Sequence, residues 1–288
     1  GGVLIVIGED YGEGASIIQE RSHAFAMKSQ MWLLDPRPNL PSIVHMVERG
    51  FELSEASNTP VFLELRIRAC HLHGSFEAKD NRQAMISRRH VLANPDFDFA
   101  RICLPPSTYA QEKHKTDVRW PAAVRFVREH HLNEFFAGRH EDSGIICQGG
   151  LYNATLRALQ QLGLSDSFGG TAVPIYCLNV TYPLVPEELV QFCAGKRSVL
   201  VIEEGQPAFI EDAVQATLRR HEVNGTKVYG KDQLPLAGEY TNEVVLTGVA
   251  RFIEAAAPRG LDTGVIPEVY QRLAAAKSTA AELLGAPL

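Results

Sequence analysis

The densest run of polar side chains in this sequence is EDYGEGASIIQERSH, which directly follows an apolar stretch near the amino end. Arg21 is its one permanent cation, and a guanidinium can fork onto a substrate carboxylate or a cofactor phosphate. A surface ion pair with Glu20 or Asp10 is the alternative. The run holds no complete catalytic set, so it indicates a binding loop and leaves the catalytic residues unknown. Its polar members include Glu9, Asp10, Glu13, Gln19, Glu20, Arg21 and His23.

Two further candidates follow strands later in the chain. Glu203 and Glu204, in VIEEG, end a predicted strand at the carboxyl edge of a sheet, where α/β proteins bind ligands. The alternatives are that they cap the next helix or that they meet a partner's arginines. Gly149 and Gly150, in CQGGLYNAT, lie between a strand and a helix, where backbone N–H groups can hold an anion. A tight turn explains these glycines as well.

Metal and cluster chemistry has little support in the sequence. His71 and His73, in CHLHG, share one side of a continued strand, but two histidines without a third ligand favour a solvated strand end. The five cysteines form no C-x-x-C pair and are expected to be buried thiols. We predict no metal site and no iron–sulfur ligand. The sequence also has no G-x-G-x-x-G, no G-x-S-x-G, no H-E-x-x-H and no Walker lysine.

The composition and charge of the chain limit the classes of protein to which it can belong. The 288 residues are 45% hydrophobic and 22% charged, enough for a sizeable core and two domains. A net charge of -6 provides no basic field for a phosphate backbone, so nucleic acid is not an expected partner. No apolar segment reaches the length of a membrane span, and no signal peptide is visible. We therefore expect no membrane partner and a cytoplasmic location.

Strand-like runs alternate with helical patterns, which predicts α/β architecture. GGVLIVIGED is apolar on both faces, as in a central strand of a parallel sheet. MWLLDP and PVFLELRIRAC predict two more strands, and alternation puts Phe62, Glu64 and Arg66 on one face. The intervening segment, around Ile43 and Val47, has helical spacing.

Pro-Pro and many charges mark residues 104–142 as a helical connector, whose Trp120 and phenylalanines require burial. Beyond it, GIICQGG, AVPIYCLNVTYPL, KRSVLVIEEG and TKVYGK each predict one strand, with amphipathic helices between them. This order predicts a mostly parallel sheet covered on both faces. An Ala-rich tail, residues 263–288, is predicted to be helical.

The order and spacing of these pieces resemble the indolepyruvate ferredoxin oxidoreductase family, alpha subunit. GGVLIVIGEDYGEGAS and LLDPRPNLPSIVHMVERGFELSEASNTPVFLELRIRACH resemble the later part of its thiamine-diphosphate pyrimidine domain. GIICQGGLYNATLRALQQLGL through VLVIEEGQPAFIEDAVQATL is similar to its transketolase C-terminal-like domain, a three-layer α/β/α unit. The family loop reads close to DDPGMHSSQNEQDSR. Asp10, Gly12, Ser16 and Ser22 keep that pattern, and the central amides do not.

The resemblance implies four regions: 1–103, the C-terminal part of a pyrimidine-type domain; 104–142, the connector; 143–262, the transketolase C-terminal-like domain; and 263–288, the tail. The chain is then expected to be a fragment, with the glutamate that activates the aminopyrimidine upstream of Gly1. The loop would border the cofactor or substrate cleft. Its expected cofactor-binding residues are Asp10, Ser16, Gln19, Arg21 and His23.

By resemblance, the parent enzyme oxidatively decarboxylates an aryl 2-oxoacid, such as indolepyruvate, to its acyl-CoA, with ferredoxin as electron acceptor. Thiamine diphosphate and Mg²⁺ serve the parent and are not expected to bind the fragment, which is expected to be inactive alone. Iron–sulfur clusters lie elsewhere in the parent. Other subunits and a homo-oligomer are expected. The alternatives are a non-catalytic assembly module and a flavodoxin-like protein that binds a nucleotide at Gly149–Gly150.

Overall fold

The computed structural model describes residues 2–11, 21–80 and 102–284. Its strands form two sheets flanked by helices, which confirms the α/β class. The strands are β1 (Leu4–Glu9), β2 (Trp32–Leu34), β3 (Val61–Arg66), β4 (Glu134–Phe136), β5 (Ser143–Gln148), β6 (Ile175–Leu178), β7 (Val180–Tyr182), β8 (Ser198–Ile202) and β9 (Lys227–Tyr229). The first sheet has the order β1-β3-β2-β7, and the second has the order β4-β6-β5-β8-β9.

The helices mostly coincide with the amphipathic segments of the sequence. They are α1 (Ser22–Ser29), α2 (Leu40–Ser57), α3 (Ile67–Cys70), α4 (Thr108–His114), α5 (Trp120–Glu129), α6 (Tyr152–Gln161), α7 (Pro186–Cys193), α8 (Phe209–Arg220), α9 (Asn242–Ala256) and α10 (Ile266–Leu284). A π-helical turn, Lys115–Arg119, joins α4 to α5. Within the described ranges, no helix combines the length and the apolar character that crossing a bilayer requires.

The first sheet departs from the prediction at β1. Its apolar composition predicts a central strand, yet β1 is an edge strand of the described sheet and pairs in parallel with β3. Val3 and Val6 accordingly remain 47% and 59% exposed. The core of this unit lies on the other strands, where Trp32, Leu34, Val61 and Leu63 pack against α2 and α5.

The connector is helical over α4 and α5, as the sequence predicts. Trp120 packs edge-on against Trp32 and Tyr182, with ring centroids 5.6 and 5.1 Å apart. The connector also contains β4, which the sequence did not predict. β4 pairs antiparallel with β6 at the edge of the second sheet, and Phe135 stacks on Tyr176 at 4.5 Å. Three residues carry too little alternation to reveal such a short aromatic strand.

The second sheet has helices on both faces. We call the first sheet with its helices the first unit, and the second sheet with its helices the second unit. One apolar cluster lies between the sheet and α6 and α9, and another lies between the sheet and α7 and α8. β6, β5, β8 and β9 are parallel. This confirms the predicted three-layer α/β/α arrangement with a mostly parallel sheet.

One predicted strand, AVPIYCLNVTYPL, is divided between the two sheets. β6 joins the second sheet, whereas β7 pairs antiparallel with β2 in the first. The chain changes sheets at buried Asn179, whose amide donates to the Leu132 carbonyl and to Glu134, both at 2.9 Å. Its carbonyl oxygen accepts the Arg37 N–H at 2.9 Å. A satisfied buried amide stabilises this break because few other residues can replace three hydrogen bonds there.

The tail is helical as predicted: α10 begins at Ile266, which is buried together with Val269, and its later turns are mostly exposed. The four region boundaries given by the sequence stay a prediction.

Candidate functional site

The carboxyl ends of strands from both sheets meet in one buried cluster of charged side chains. Open α/β sheets place polar residues at this edge because the strand ends and helix N-termini point there. Here the two edges face each other, so the polar groups of one sheet contact those of the other. We call this set the edge cluster: Glu9, Tyr11, Arg21, Asp35, Glu64, Arg66, Glu203 and Glu204.

Arg66, the last residue of β3, occupies the centre of the edge cluster. Its guanidinium donates to Asp35 Oδ2 at 2.7 Å and to Glu204 Oε2, and Glu64 Oε1 lies 3.5 Å away. The Arg66 side chain is only 5% exposed. Because Asp35 follows β2 and Glu204 follows β8, this one side chain links both sheets.

Glu64 is a buried acid of the edge cluster. Burial raises its pKa well above the usual value, and Asp35 raises it further, against the opposing effect of Arg66. Its Oε1 atom is buried without a hydrogen-bond partner among the described residues. Burial and Asp35 therefore both favour protonation of the Glu64 carboxyl group.

Arg21 attaches the first unit to the turn after β8. Its Nη2 donates to Glu203 Oε1 at 3.1 Å and to the Pro207 carbonyl at 2.6 Å. Its Nη1 donates to the Glu204 carbonyl. The guanidinium carbon also lies 5.2 Å from the centre of the Phe209 ring, within cation–π range. Arg21 thus binds the second unit; Glu20, one of the two acids considered from the sequence, lies outside the described residues.

Hydrogen bonds join residues at the two ends of the predicted binding loop. Glu9 Oε2 accepts the Ser22 N–H at 2.9 Å, and Arg21 Nη1 donates to the Tyr11 hydroxyl at 3.4 Å. Burial raises the pKa of Glu9, and the hydrogen bonds from Ser22 partly oppose that shift. Residues on either side of the loop are therefore anchored to each other and, through Arg21, to the second unit.

Glu203 contacts two different elements. Its Oε2 accepts the N–H groups of Ile210 and Glu211, at 2.9 and 3.0 Å, in the first turn of α8. Its Oε1 accepts Arg21. Burial raises the pKa of Glu203, while these backbone hydrogen bonds lower it. Of the two roles that the sequence left open for this acid, helix capping is observed, and the arginine that it contacts belongs to the same chain.

The Gly149–Gly150 turn binds an anion that belongs to the same chain, the carboxylate of Asp35. The Gly150 N–H donates to Asp35 Oδ1 at 3.1 Å. A Cβ on Gly149 would lie 1.9 Å from the Asp35 carbonyl oxygen, and one on Gly150 would lie 2.2 Å from Arg66 Nε. Glycine is required here because the backbones of the two units approach so closely. This packing disfavours the flavodoxin-like alternative, which needs that turn for a nucleotide.

The structure describes three of the five predicted cofactor-binding residues. Asp10 is 8% exposed, and Arg21 makes the contacts given above. His23 is buried and stacks on Phe209 with ring centroids 5.4 Å apart. Burial lowers the pKa of His23 to about 3, with Arg21 and Arg66 adding to the shift, so this ring is neutral. Ser16 and Gln19 lie outside the described residues, and the site assignment stays a prediction.

Sequence reasoning did not place Asp35, Glu64 or Arg66 in a site. A signal was present, since Glu64 and Arg66 alternate on one face of an otherwise apolar strand and buried charges need partners. Asp35 gave no comparable signal, because its partners lie far along the chain. Lys231 was also missed. It donates to the Gly205 carbonyl and the Tyr240 hydroxyl, both at 2.8 Å, and burial lowers its pKa to about 8.

The histidine pair of CHLHG does not lie on a strand. β3 ends at Arg66, α3 follows, and His71 and His73 are exposed. Cys147, Cys177 and Cys193 are buried free thiols, as expected, whereas Cys70 and Cys103 are exposed. Exposed thiols contradict that part of the expectation, and both lie outside the buried sheets.

The described residues do not by themselves fit thiamine diphosphate with Mg²⁺. Magnesium requires several free oxygen ligands, but Arg21 and Arg66 already pair with acids of the edge cluster. Across residues 2–11, 21–80 and 102–284, no group of three or more His, Cys, Asp or Glu side chains is arranged to hold a metal ion. We therefore derive no chemical step through this cofactor.

The fold is shared with a ferredoxin-dependent oxidoreductase. A solved structure of 2-oxoglutarate:ferredoxin oxidoreductase from Magnetococcus marinus superposes with a TM-score of 0.53 and 15% identity, over 86% of this chain and 48% of that one. At this identity the likeness defines the architecture alone.

Sequence comparison finds similarity to one family of proteins. Residues 131–234 match the model of the indolepyruvate ferredoxin oxidoreductase middle domain. The chain is also 27% and 26% identical to indolepyruvate oxidoreductase subunit IorA of Methanothermobacter marburgensis and Methanothermobacter thermautotrophicus. Each match covers 93% of this chain and 41% of the relative. The resemblance to this family is confirmed, and the chain spans about two fifths of the length of these relatives.

Proposed function

We propose that this chain is part of an enzyme that oxidatively decarboxylates an aryl 2-oxoacid, such as indolepyruvate. Ferredoxin accepts the electrons, and coenzyme A accepts the acyl group. In this proposal thiamine diphosphate with Mg²⁺ supplies the carbanion chemistry, and iron–sulfur clusters elsewhere in the enzyme carry the electrons. The observation that carries the proposal is the similarity to the IorA subunits, which extends over 93% of the chain and so includes both units.

Unpaired polar atoms in and beside the edge cluster support the proposal that the substrate or cofactor cleft lies there. Among the described residues, six buried side-chain atoms have no hydrogen-bond partner; three of them belong to Glu9, Arg21 and Glu64 of the edge cluster, and a fourth belongs to His23. Unpaired buried polar atoms are rare in folded proteins and mark places where another polar group completes the site. We propose that the loop bearing Asp10, Ser16, Gln19, Arg21 and His23 borders this cleft, with Arg21 positioning the loop from within the protein.

The substrate proposal is tested with the full-length subunit assembled with its partner subunits. Reduction of ferredoxin is followed anaerobically with indolepyruvate, phenylpyruvate, pyruvate and 2-oxoglutarate in turn. We expect kcat/KM for the aryl substrates to exceed that for the other two by at least about tenfold. Equal or higher values for pyruvate or 2-oxoglutarate would overturn the aryl assignment while leaving the reaction class intact.

We further propose that residues 1–288 alone are inactive and do not bind thiamine diphosphate usefully. The described acids offer no set of free oxygen ligands for Mg²⁺. Calorimetry of the isolated chain with thiamine diphosphate and Mg²⁺ checks this proposal, with the assembled enzyme as the control. Micromolar binding by the isolated chain would contradict it.

A second candidate function is a non-catalytic assembly module, which predicts that the polar loops face another subunit. In the described residues, the polar side chains at the strand ends contact the other unit of the same chain. The two candidates differ in the assembled enzyme: an assembly module tolerates loop substitutions without loss of turnover, whereas a cleft-bordering loop does not.

A homo-oligomer and a cytoplasmic location remain part of the proposal.

A further inference from the structure

The last helix among the described residues, α10 (Ile266–Leu284), carries an apolar seam along one side. The residues of the seam follow one another at spacings of 3, 4, 3, 4 and 3 positions. This is the heptad pattern by which one helix packs along another. The pattern drifts only slowly around a helix, so the seam stays on one side over the whole of α10. The seam consists of Ile266, Val269, Leu273, Ala276, Ala280 and Leu283.

The surroundings of the seam change along α10. Ile266 and Val269 are 2% and 1% exposed within an apolar cluster of the second unit, and Leu273 packs against that cluster. Ala276, by contrast, is exposed, and Leu283 is 81% exposed. The early turns of the seam are therefore buried in the second unit, whereas most of its later part is open to solvent within the described residues.

The position of α9 explains where this change occurs. The Tyr270 hydroxyl donates to Glu254, near the end of α9, at 2.9 Å. One heptad later, Lys277 pairs with Glu243, near the start of α9, at 2.6 Å. The two helices are therefore antiparallel, and α10 passes the first turn of α9 at Lys277. The turns of α10 beyond Lys277 extend past the start of α9, which leaves the end of the seam without that neighbour.

The small area of this surface limits the kind of partner that can cover it. A stable interface between separate proteins buries about 800 Å² on each side, far more than one leucine and two alanines present. A segment of the same polypeptide needs less area because its effective concentration is high. Each match to an IorA subunit covers 41% of the relative, so more than half of that relative's length has no counterpart in this chain.

We propose that Ala276, Ala280 and Leu283 form a docking surface for an amphipathic helix from the remaining part of the same parent subunit. Alanine at two of the three positions lets the axis of that helix approach closely. The opposite side of α10 is polar and exposed, so one side of the helix suits packing and the other suits solvent. This inference requires a longer subunit but does not rest on the reaction that the enzyme catalyses.

The test uses amide hydrogen exchange over residues 274–284 in the full-length subunit. Ala280→Glu places a charge in the docking surface, while Lys277, three positions earlier, compensates that charge within α10 itself. Ala275→Glu is the matched control, because the same substitution then lies on the opposite, exposed side of α10. The unmodified subunit and both variants are measured alone and assembled with the partner subunits, at two concentrations that differ by about fiftyfold.

We expect exchange to be at least about tenfold faster in Ala280→Glu than in the unmodified subunit, and unchanged in Ala275→Glu, at both concentrations and without the partner subunits. Equal exchange in Ala280→Glu and the unmodified subunit would overturn the proposal. Equal acceleration in both variants would also overturn it, because it would report only a weaker helix. Protection that rises with concentration would assign the surface to a second copy, and protection that requires assembly would assign it to another subunit; either result contradicts the proposal. Failure of the proposed function appears separately, as an enzyme that turns over no 2-oxoacid.

Discussion

The two arginines of the edge cluster have different surroundings. Arg66 pairs with the carboxylates of Asp35 and Glu204 and lies over the Tyr11 ring, whereas Arg21 shares its guanidinium among one carboxylate, two carbonyl oxygens and two aromatic rings. Removing one partner of a buried ion pair is costly because the remaining charge stays desolvated. We therefore expect the stability of the contact between the two sheets to depend mainly on Arg66.

Arg66→Met should lower the free energy of unfolding by about 3–5 kcal/mol, because Asp35 and Glu204 lose their buried cation. Urea unfolding at pH 7 measures the change. Arg49→Met is the matched control: Arg49 pairs with Glu52 at 2.5 Å on the surface of α2 and should lose at most about 1 kcal/mol. A loss below about 1 kcal/mol for Arg66→Met would contradict the central role of this residue.

His23 predicts a pH dependence of stability. Its pKa is about 3 in the folded chain and 6.5 when unperturbed, so between these values the unfolded state binds the additional proton. Stability should fall as the pH drops below 6.5, by about 2 kcal/mol from this residue at pH 5. The raised pKa values of Glu9, Glu64 and Glu203 act in the opposite direction.

The measurement for His23 is urea unfolding of the parent and His23→Phe between pH 7 and pH 5. A phenylalanine can keep the stack on Phe209 but does not titrate. We expect a smaller loss of stability on acidification in the variant. Identical pH profiles would show that His23 is protonated in the folded chain or is exposed.

At the scale of helices and strands, the contact between the two sheets depends on two turns that lie close together. The Gly149–Gly150 turn precedes α6, and Asp35 enters it from the end of β2. The strand, the glycines and the helix were predicted from local sequence, with an anion at the backbone N–H groups as one of two interpretations. The identity of that anion was not predictable, because Asp35 and Gly150 are 115 positions apart and no local pattern pairs them.

Gly149→Ala should destabilise the chain by about 1–3 kcal/mol or more, since the added methyl group would meet the Asp35 carbonyl oxygen at 1.9 Å. Gly225→Ala is the control because a Cβ at that position has no neighbour within 4 Å. Thermal unfolding of both variants measures the difference. Equal melting temperatures would mean that the two turns are not in contact.

At the scale of the whole molecule, the sequence predicted the class, most helices and strands, and the three layers of the second unit. Periodicity carries that information because each element has to bury its own apolar face. It does not report which sheet a strand joins, so the division of β6 from β7 at Asn179 was missed. The central position predicted for β1 was wrong in the described sheet, since an apolar composition does not specify a strand's neighbours.

Limited proteolysis tests the predicted organisation. Among the described residues, 102–106 are exposed, whereas the turn near Arg139 is held by His140 Nδ1 and Asp142, both hydrogen-bonded to Arg259. We expect subtilisin to cut within residues 102–114 first, near Arg139–Ser143 next, and only later inside the strands. Early cleavage within Val61–Arg66 or Ser198–Ile202, identified by mass spectrometry, would argue against two stable units.

The central claim, that this chain is part of an aryl 2-oxoacid:ferredoxin oxidoreductase, is tested most directly by product analysis of the assembled enzyme. Indolepyruvate, coenzyme A and oxidised ferredoxin are incubated anaerobically, and acyl-CoA and reduced ferredoxin are quantified together. Loss of carbon dioxide leaves two electrons per substrate, so the account predicts one indoleacetyl-CoA for each two electrons that reach ferredoxin, and no acyl-CoA when ferredoxin is omitted. Absence of both products with every 2-oxoacid tested, from an enzyme loaded with thiamine diphosphate, would contradict it.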